Sequence, residues 1–449
     1  MTRFARAHIV GAGLAGLAAA LRLAEAGVAV TVHEAAPQAG GRCRSYFDAA
    51  LGCRIDNGNH LLISGNWAAQ RYLAGIGAAQ SLIGPDEAAY PFIDLASGER
   101  WVFRPGAGRV PWWLFDRTRR VPSTHLRDYL RALRLAWVGR DQAVADVLDP
   151  RSVLFCRLWR PLTVAVLNTG VEEASAALLA HVLGESFAKG GTMCRPLVPS
   201  EGLSETFIEP ALQYLREHGA QLRFAARLRA IEFAGDRVAG LGFDGDSETV
   251  TDDEAVVLAV PAPVAARLIP GLTAPQEFRA IVNAHYRIRL PNTAPLLVGI
   301  VGGVAEWVFR KREVLSVTVS AADRLVDTPA EELSLRLWHD AAKAYELPTE
   351  PMPPWQIVKE RRATFAATPA QIRRRPMQAT RWSNLTLAGD WTDTGLPATI
   401  EGAIRSGFAA AEGLLASSRR VGKEKRLSAS GELAKVAAGP PPPLTLESR

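Results

Sequence analysis

His8-Ile9-Val10-Gly11-Ala12-Gly13-Leu14-Ala15-Gly16 opens the chain with an apolar run, three spaced glycines and the first turn of a helical pattern. The order continues with the apolar Val28-Ala29-Val30-Thr31-Val32, Glu34, and then Gly40-Gly41-Arg42. Each part has a physical task. Gly11 permits the tight turn from strand to helix, Gly13 lets the backbone approach a pyrophosphate, and Gly16 lets the helix pack close to the sheet. The helix start offers free N–H groups and the positive end of its dipole to phosphate. Glu34, about twenty residues on, is placed to accept hydrogen bonds from ribose hydroxyls. Gly40 and Gly41 expose further N–H groups, and Arg42 adds a forked cation suited to phosphate. A lone GxGxxG would be weak evidence. Strand, glycines, helix, second strand, acid and Gly-Gly-Arg in sequence make a dinucleotide site.

The 449 residues have room for two or three domains, and 48% apolar content describes a globular chain with a large core. Cys43, Cys53, Cys156 and Cys194 show neither CxxC nor metal-ligand spacing, which predicts reduced thiols in a cytoplasmic protein without a structural disulfide or metal. Arg3 and Arg6 before an apolar stretch imitate a signal peptide, but the glycine spacing, Arg22 and Glu25 argue against one. Apolar runs fall short of the roughly 18–20 residues needed to cross a bilayer. The net charge of +6 is uneven. Residues 100–140 hold ten arginines against Asp116 and Asp128, a net +8, and residues 417–449 carry +4, leaving −6 elsewhere. No nucleic-acid module is visible in that distribution.

An α/β fold follows, with a Rossmann-like domain built from discontinuous segments and an α+β substrate domain. Residues 1–62, 199–260 and 360–416 are assigned to the nucleotide domain, 63–198 and 261–359 to the substrate domain. Within the former, 204–216 reads as helix, and 221–224, 228–233, 238–243 and 255–260 read as strands, with Leu228 heading the second. Leu385-Thr386-Leu387 reads as a short strand entering Gly389-Asp390, followed by an Ala-rich helix from Thr399. Residues 417–449, with Pro440-Pro441-Pro442-Pro443, read as a disordered tail.

This discontinuous pattern resembles the flavoprotein amine oxidase and phytoene desaturase superfamily. Its C-terminal match is Leu387-Ala388-Gly389-Asp390-Trp391 followed by Pro397-Ala398-Thr399-Ile400-Glu401-Gly402. The resemblance implies non-covalent FAD held by Gly11, Ala12, Gly13, Leu14, Ala15, Gly16, Glu34, Gly40, Gly41, Arg42, Asn57, Gly58, Leu228, Gly389, Asp390, Thr399 and Ile400. The C-terminal motif has no Cys at the expected flavin edge, so it gives no support to a thioether link. Within the superfamily, Asp56-Asn57-Gly58-Asn59-His60-Leu61-Leu62-Ile63-Ser64-Gly65-Asn66 and Cys194-Arg195-Pro196-Leu197-Val198-Pro199 running into Gly202-Leu203-Ser204-Glu205 resemble the squalene-associated, FAD-dependent group. That resemblance implies reductive removal of the allylic hydroxyl of hydroxysqualene, giving squalene for hopanoid synthesis, with an external electron donor.

An allylic hydroxyl leaves more readily when protonated, so such chemistry needs an acid. His60, after the Asp56-Asn57-Gly58 turn, is the first candidate, with hydrogen bonding to a backbone group or to the cofactor as the competing role. Ser123 is expected to cap a helix with Leu126, Leu130, Leu133 and Trp137 on one face and Arg127, Arg131 and Arg134 on another, beside Trp112-Trp113. Such a surface suits the inner face of an anionic membrane, and a core-packed helix with a solvated arginine face is the plain alternative. Three other functions stay open on sequence: carotenoid-type desaturation, flavin amine oxidation, and a prenyl-protein chaperone of the GDP-dissociation-inhibitor type.

Overall fold

The structure, a computed structural model, describes residues 4–416; the expected disordered tail lies outside the described residues. Strand β1 (Arg6–Val10), helix α1 (Leu14–Glu25) and strand β2 (Ala29–His33) form the opening unit. Both strands are exposed only at their first residue, as expected for parallel strands covered on two faces. They sit in a five-stranded parallel sheet ordered Gln221–Arg223, β2, β1, Glu254–Leu258 and Leu385–Leu387. Five strands drawn from across the chain therefore share one sheet.

Its two faces bury different partners. Ala7, Ile9, Val30 and Val32 pack with Leu17, Leu21, Phe207, Ile404 and Phe408. On the opposite face, Val10, Val256 and Leu258 pack with Val238 and Leu241 of an antiparallel meander formed by Leu228–Ala234, Arg237–Phe243 and Asp246–Thr249.

A seven-stranded mixed sheet makes the second layer, ordered Trp355–Phe365, Phe278–Tyr286, Leu315–Val319, Trp307–Arg310, Leu297–Val301, Tyr90–Asp94 and Arg100–Phe103. Val282, Ala284, Val317 and Val319 pack on Leu333, Leu337 and Trp338 of helix Ala330–Tyr345. Strand Trp355–Phe365 pairs with Phe278–Tyr286 from Tyr286↔Trp355 to Phe278↔Phe365, so a boundary between 359 and 360 falls inside a strand. Among the described residues no helix is long and apolar enough to cross a membrane, and the four cysteines are free.

The segment at 123–137 differs from expectation. Ser123 takes a left-handed φ of 62° and caps nothing; the N-cap is His125, whose backbone N–H donates to Asp128. The α-helix ends at Leu130 and continues as a 3₁₀ helix over Arg131–Trp137. Three residues per turn align Arg131, Arg134 and Trp137 in one row, with Leu130 and Leu133 in the next. Leu130, Leu133 and Trp137 are exposed, while Tyr129 and Leu135 face inward. The expected apolar face therefore points outward.

Candidate functional site

The glycines of the opening turn are conformational necessities. Gly11 has a φ of +108°, and a Cβ there would stand 2.5 Å from the Ala259 carbonyl oxygen. A Cβ on Gly16 would collide with the Gly11 carbonyl. Gly13 instead faces open space, with no atom within 4 Å of where its Cβ would lie. Gly13 is also the N-cap of α1, which has no side-chain cap and no acid in its first turn. Its first N–H groups are left for an incoming anion. Leu14 and Ala15 are buried in that turn.

Glu34 closes the turn. Its carboxylate accepts from the Ala12 N–H at 2.7 Å and the Ala36 N–H at 2.8 Å. Ala226 N–H donates to the Glu34 carbonyl at 2.8 Å, which brings the lead-in to Leu228 alongside, and Leu228 itself is buried under the meander. Gly40 bridges to Gly13, and its N–H donates to the Ala12 carbonyl at 2.8 Å. Gly41 stands 3.6 Å from the Gly13 Cα by its virtual Cβ, with a φ of +58°.

Arg42, expected beside phosphate, reaches the far end of the chain. Its guanidinium donates to both Asp390 oxygens at 2.7 Å and to the Ala363 carbonyl at 2.6 Å. Asp390 raises the Arg42 pKa, against the opposing effect of burial. The pair joins stretches 348 residues apart and holds the Gly389-Asp390 corner beside the glycine turn. Gly389 N–H donates to Ser406 Oγ, and Trp391 Nε1–H to the Val260 carbonyl, fixing that corner on the parallel sheet. Thr399 caps helix 400–416 by accepting from Gly402 N–H at 3.0 Å, with Ile400 buried behind it. These groups fit FAD: a glycine cradle with room at Gly13, an uncapped helix start, an acid at the end of the second strand and a second helix start at Thr399.

The stretches that carried the finer resemblance also meet. Leu62–Ile63 pairs with Pro196–Leu197, and Ser64 N–H donates to the Arg195 carbonyl. Asp56 accepts from Leu203 N–H at 2.9 Å and Ser45 Oγ–H at 2.6 Å, while Ser45 and Ser204 exchange two further bonds. Lys311 completes Asp56 at 2.6 Å. Burial would raise the Asp56 carboxyl, but Lys311 and these donors hold it below the ordinary range.

Around Asn57 lies a polar network that sequence reading missed. Asn59 Nδ2–H donates to Thr318 Oγ1 at 2.9 Å, and Thr318 Oγ1–H donates to Asn283 Oδ1 at 2.8 Å. Asn283 Nδ2 reaches the Asn57 carbonyl at 3.4 Å, and a Cβ at Gly58 would stand 3.3 Å from it. His285 and Ser316 pair next on the same face at 2.7 Å. Trp307 lies opposite Thr318 and Phe309 opposite Ser316, so one sheet face grades from this polar strip into a buried aromatic cluster. Their only sequence signal is polar residues at alternating positions of apolar strands, which is too common to single them out.

His60 enters the same neighbourhood. Burial lowers its imidazole to about 4; Asp56 acts to raise it, and Lys311 and Arg42 to lower it. Burial thus favours the neutral ring, which can donate or accept a hydrogen bond.

The family model for flavin containing amine oxidoreductases matches residues 14–415. A hydroxysqualene dehydroxylase from Rhodopseudomonas palustris is 52% identical over 413 residues, covering 92% of this chain and 99% of that protein. Another, from Sinorhizobium fredii, is 48% identical, covering 90% and 97%. A zeta-carotene desaturase from Synechocystis sp. is far more distant, 22% identical over 93% and 98%. Among solved structures, cyclohexylamine oxidase from Brevibacterium oxydans superposes with a TM-score of 0.68 at 16% identity, covering 92% of this chain and 99% of its own. With the assembled glycine turn, the Gly-Asp corner and these relatives together, the chain belongs to the flavin containing amine oxidoreductase family, as an FAD-dependent oxidoreductase of the hydroxysqualene dehydroxylase group.

Proposed function

We propose that this protein removes the hydroxyl of hydroxysqualene reductively to give squalene. The observation that carries the reading is the 52% identity to a hydroxysqualene dehydroxylase along nearly the whole of both chains. Bound and reduced, FAD supplies a hydride donor at its N5 atom. The chain's own tasks are to hold the cofactor, orient the allylic carbon and carbon–oxygen bond, and keep bulk water away.

Gly11–Gly16, Glu34, Gly40-Gly41 and the starts of α1 and helix 400–416 hold the cofactor in this reading, and Arg42 fixes Asp390 for it. His60, neutral at pH 7, orients the leaving hydroxyl through a hydrogen bond. It does not store the proton; the two-electron-reduced flavin would supply that as well as the hydride, so that the hydroxyl departs as water and the flavin ends oxidised. Lys311, anchored by Asp56, and Arg42 both lie close enough to act on His60. The strip Asn59–Thr318–Asn283 fixes the loop carrying His60.

The substrate is nearly insoluble in water, so it has to be taken from lipid. Val110, Trp112, Phe115, Leu130, Leu133 and Trp137 are 51–82% exposed. Trp112 and Phe115 pack on each other at 6.0 Å, and Trp113 on Tyr129 at 5.7 Å joins the two segments into one patch. Exposed Arg109, Arg117, Arg127, Arg131 and Arg134 surround it. Aromatic side chains ringed by arginine match the interface of an anionic membrane. We assign this surface to peripheral contact with the inner leaflet.

Anaerobic incubation of the chemically reduced holoenzyme with hydroxysqualene tests the reaction. Squalene is the expected product. Recovery of unchanged hydroxysqualene, or of a more unsaturated polyene, would refute the assignment.

A further inference from the structure

We propose that His8 Nδ1, His33 Nε2 and Glu248 Oε2 form a structural site for one divalent transition metal of the zinc type, clamping the meander onto the parallel sheet. The three atoms converge. His8 Nδ1 is 3.3 Å from His33 Nε2 and 3.1 Å from Glu248 Oε2, and the last two are 3.6 Å apart. Zinc bonds of about 2.0–2.2 Å in a tetrahedron place ligand atoms roughly 3.3–3.5 Å from one another. The triangle already has that size.

Either one proton or one cation can fill it. His8 Nε2 faces the Glu254 carboxylate at 3.4 Å, and the tautomer that donates there leaves a lone pair on Nδ1. That lone pair can accept from His33 Nε2–H at 3.3 Å, which leaves Glu248 Oε2 beside both rings without a proton from either. The opposite tautomer gives Nδ1 one proton for two neighbours and leaves Nε2 against Glu254 with none. A cation at the centre satisfies all three atoms, with the Nε2–H to Glu254 as the outer bond that fixes the His8 ring.

The surroundings are built for rigidity. His8 and His33 are 3% and 1% exposed, and Phe243 stacks on His33 at 4.6 Å. Arg223 pairs with the other Glu248 oxygen, and Arg6 with Glu254 at 3.6 Å. These arginines orient both carboxylates and also oppose a second positive charge. The site should therefore bind more weakly than a closed four-ligand thiolate centre, with water as its fourth ligand. No spacing in the sequence announces it, since the ligands come from β1, β2 and the last strand of the meander. The His33 carbonyl accepts from Gly11 N–H at 2.7 Å, so the clamp lies directly beneath the cofactor turn.

The test is zinc titration of the chelator-treated, FAD-loaded protein against a chromophoric competitor, followed by metal analysis after desalting. We expect one zinc per chain, a rise in Tm on loading, and cobalt bands at longer wavelength than the flavin absorption. Glu248→Gln should weaken binding at least tenfold with its flavin content and circular dichroism unchanged, and His8→Asn/His33→Asn should abolish it. Should the double variant fail to fold, Glu248→Gln decides alone. Absence of stoichiometric zinc, or binding that survives Glu248→Gln unchanged, overturns the proposal and leaves a proton as the occupant of the triangle.

Discussion

The cofactor corner and the 107–137 surface are built on opposite principles. At the corner, each residue is fixed by several others: Gly16 has no room for a methyl group, Glu34 closes the turn it follows, and Arg42 is locked to Asp390. On the surface, Trp112 and Trp137 are 70% and 82% exposed and little but neighbouring side chains touches them. Rigidity is needed where a cofactor is gripped for the life of the protein. Looseness suits a surface whose partner is fluid. Substitutions should therefore cost stability and flavin in the first region, and only lipid contact in the second.

The largest effect is expected at Gly16. Gly16→Val drives its side chain into the Gly11 carbonyl, and the purified protein should be colourless, with flavin absorbance relative to protein reduced at least tenfold. A yellow, stable Gly16→Val protein would break the claim that this turn is over-determined.

Next comes the ion pair. Arg42→Met leaves the buried Asp390 carboxylate unpaired and should cost about 1–3 kcal/mol in urea unfolding, a range reduced for the 43% accessibility of the Arg42 side chain. Arg42→Met/Asp390→Asn should recover part of that loss. Additive losses would mean the two residues do not act as a unit.

Acid acts through the buried imidazoles. His60 and His285 have imidazoles lowered from 6.5 to about 4 and about 3, burial being the main cause in both. The unfolded chain binds their protons first, so their stabilising contribution is complete above pH 6.5 and is lost as pH falls toward 4. Each imidazole should contribute a loss of about 3 kcal/mol across that window, and His285→Gln should flatten the slope. An unchanged slope would remove His285 from the explanation.

The smallest stability effect belongs to the surface. Trp112→Ser/Phe115→Ser/Trp137→Ser should move unfolding by less than about 0.5 kcal/mol per site, yet weaken sedimentation with anionic vesicles more than tenfold. Arg127→Gln/Arg131→Gln/Arg134→Gln should weaken it by about 1 kcal/mol per charge and lower its salt dependence. Unchanged vesicle binding in both variants would end the membrane assignment.

The contrast also explains what could be read before any coordinates. The α/β class and the strands at 6–10, 29–33, 254–258 and 385–387 were legible because buried parallel strands leave continuous apolar runs, and glycines mark their turns. The partnership of Arg42 with Asp390 was not, because residues 348 apart share no periodic signal. Lys311 and Asp56 were hidden for the same reason. At 123–137 the helical spacing was present, but Ser123 adopts a left-handed backbone, the cap moves to His125, and the helix tightens after Leu130. Periodicity there also could not tell which face meets the core. His60 was legible as a position; its enclosure, which decides its charge state, depends on segments far away in sequence.

Single-turnover mixing tests the central claim most directly. Reduced holoenzyme is mixed anaerobically with hydroxysqualene while flavin absorbance and product are followed together. The account predicts recovery of the oxidised flavin spectrum at the rate squalene appears, with one squalene formed per flavin. Flavin that stays reduced in the presence of bound hydroxysqualene, or squalene formed without flavin oxidation, would contradict it.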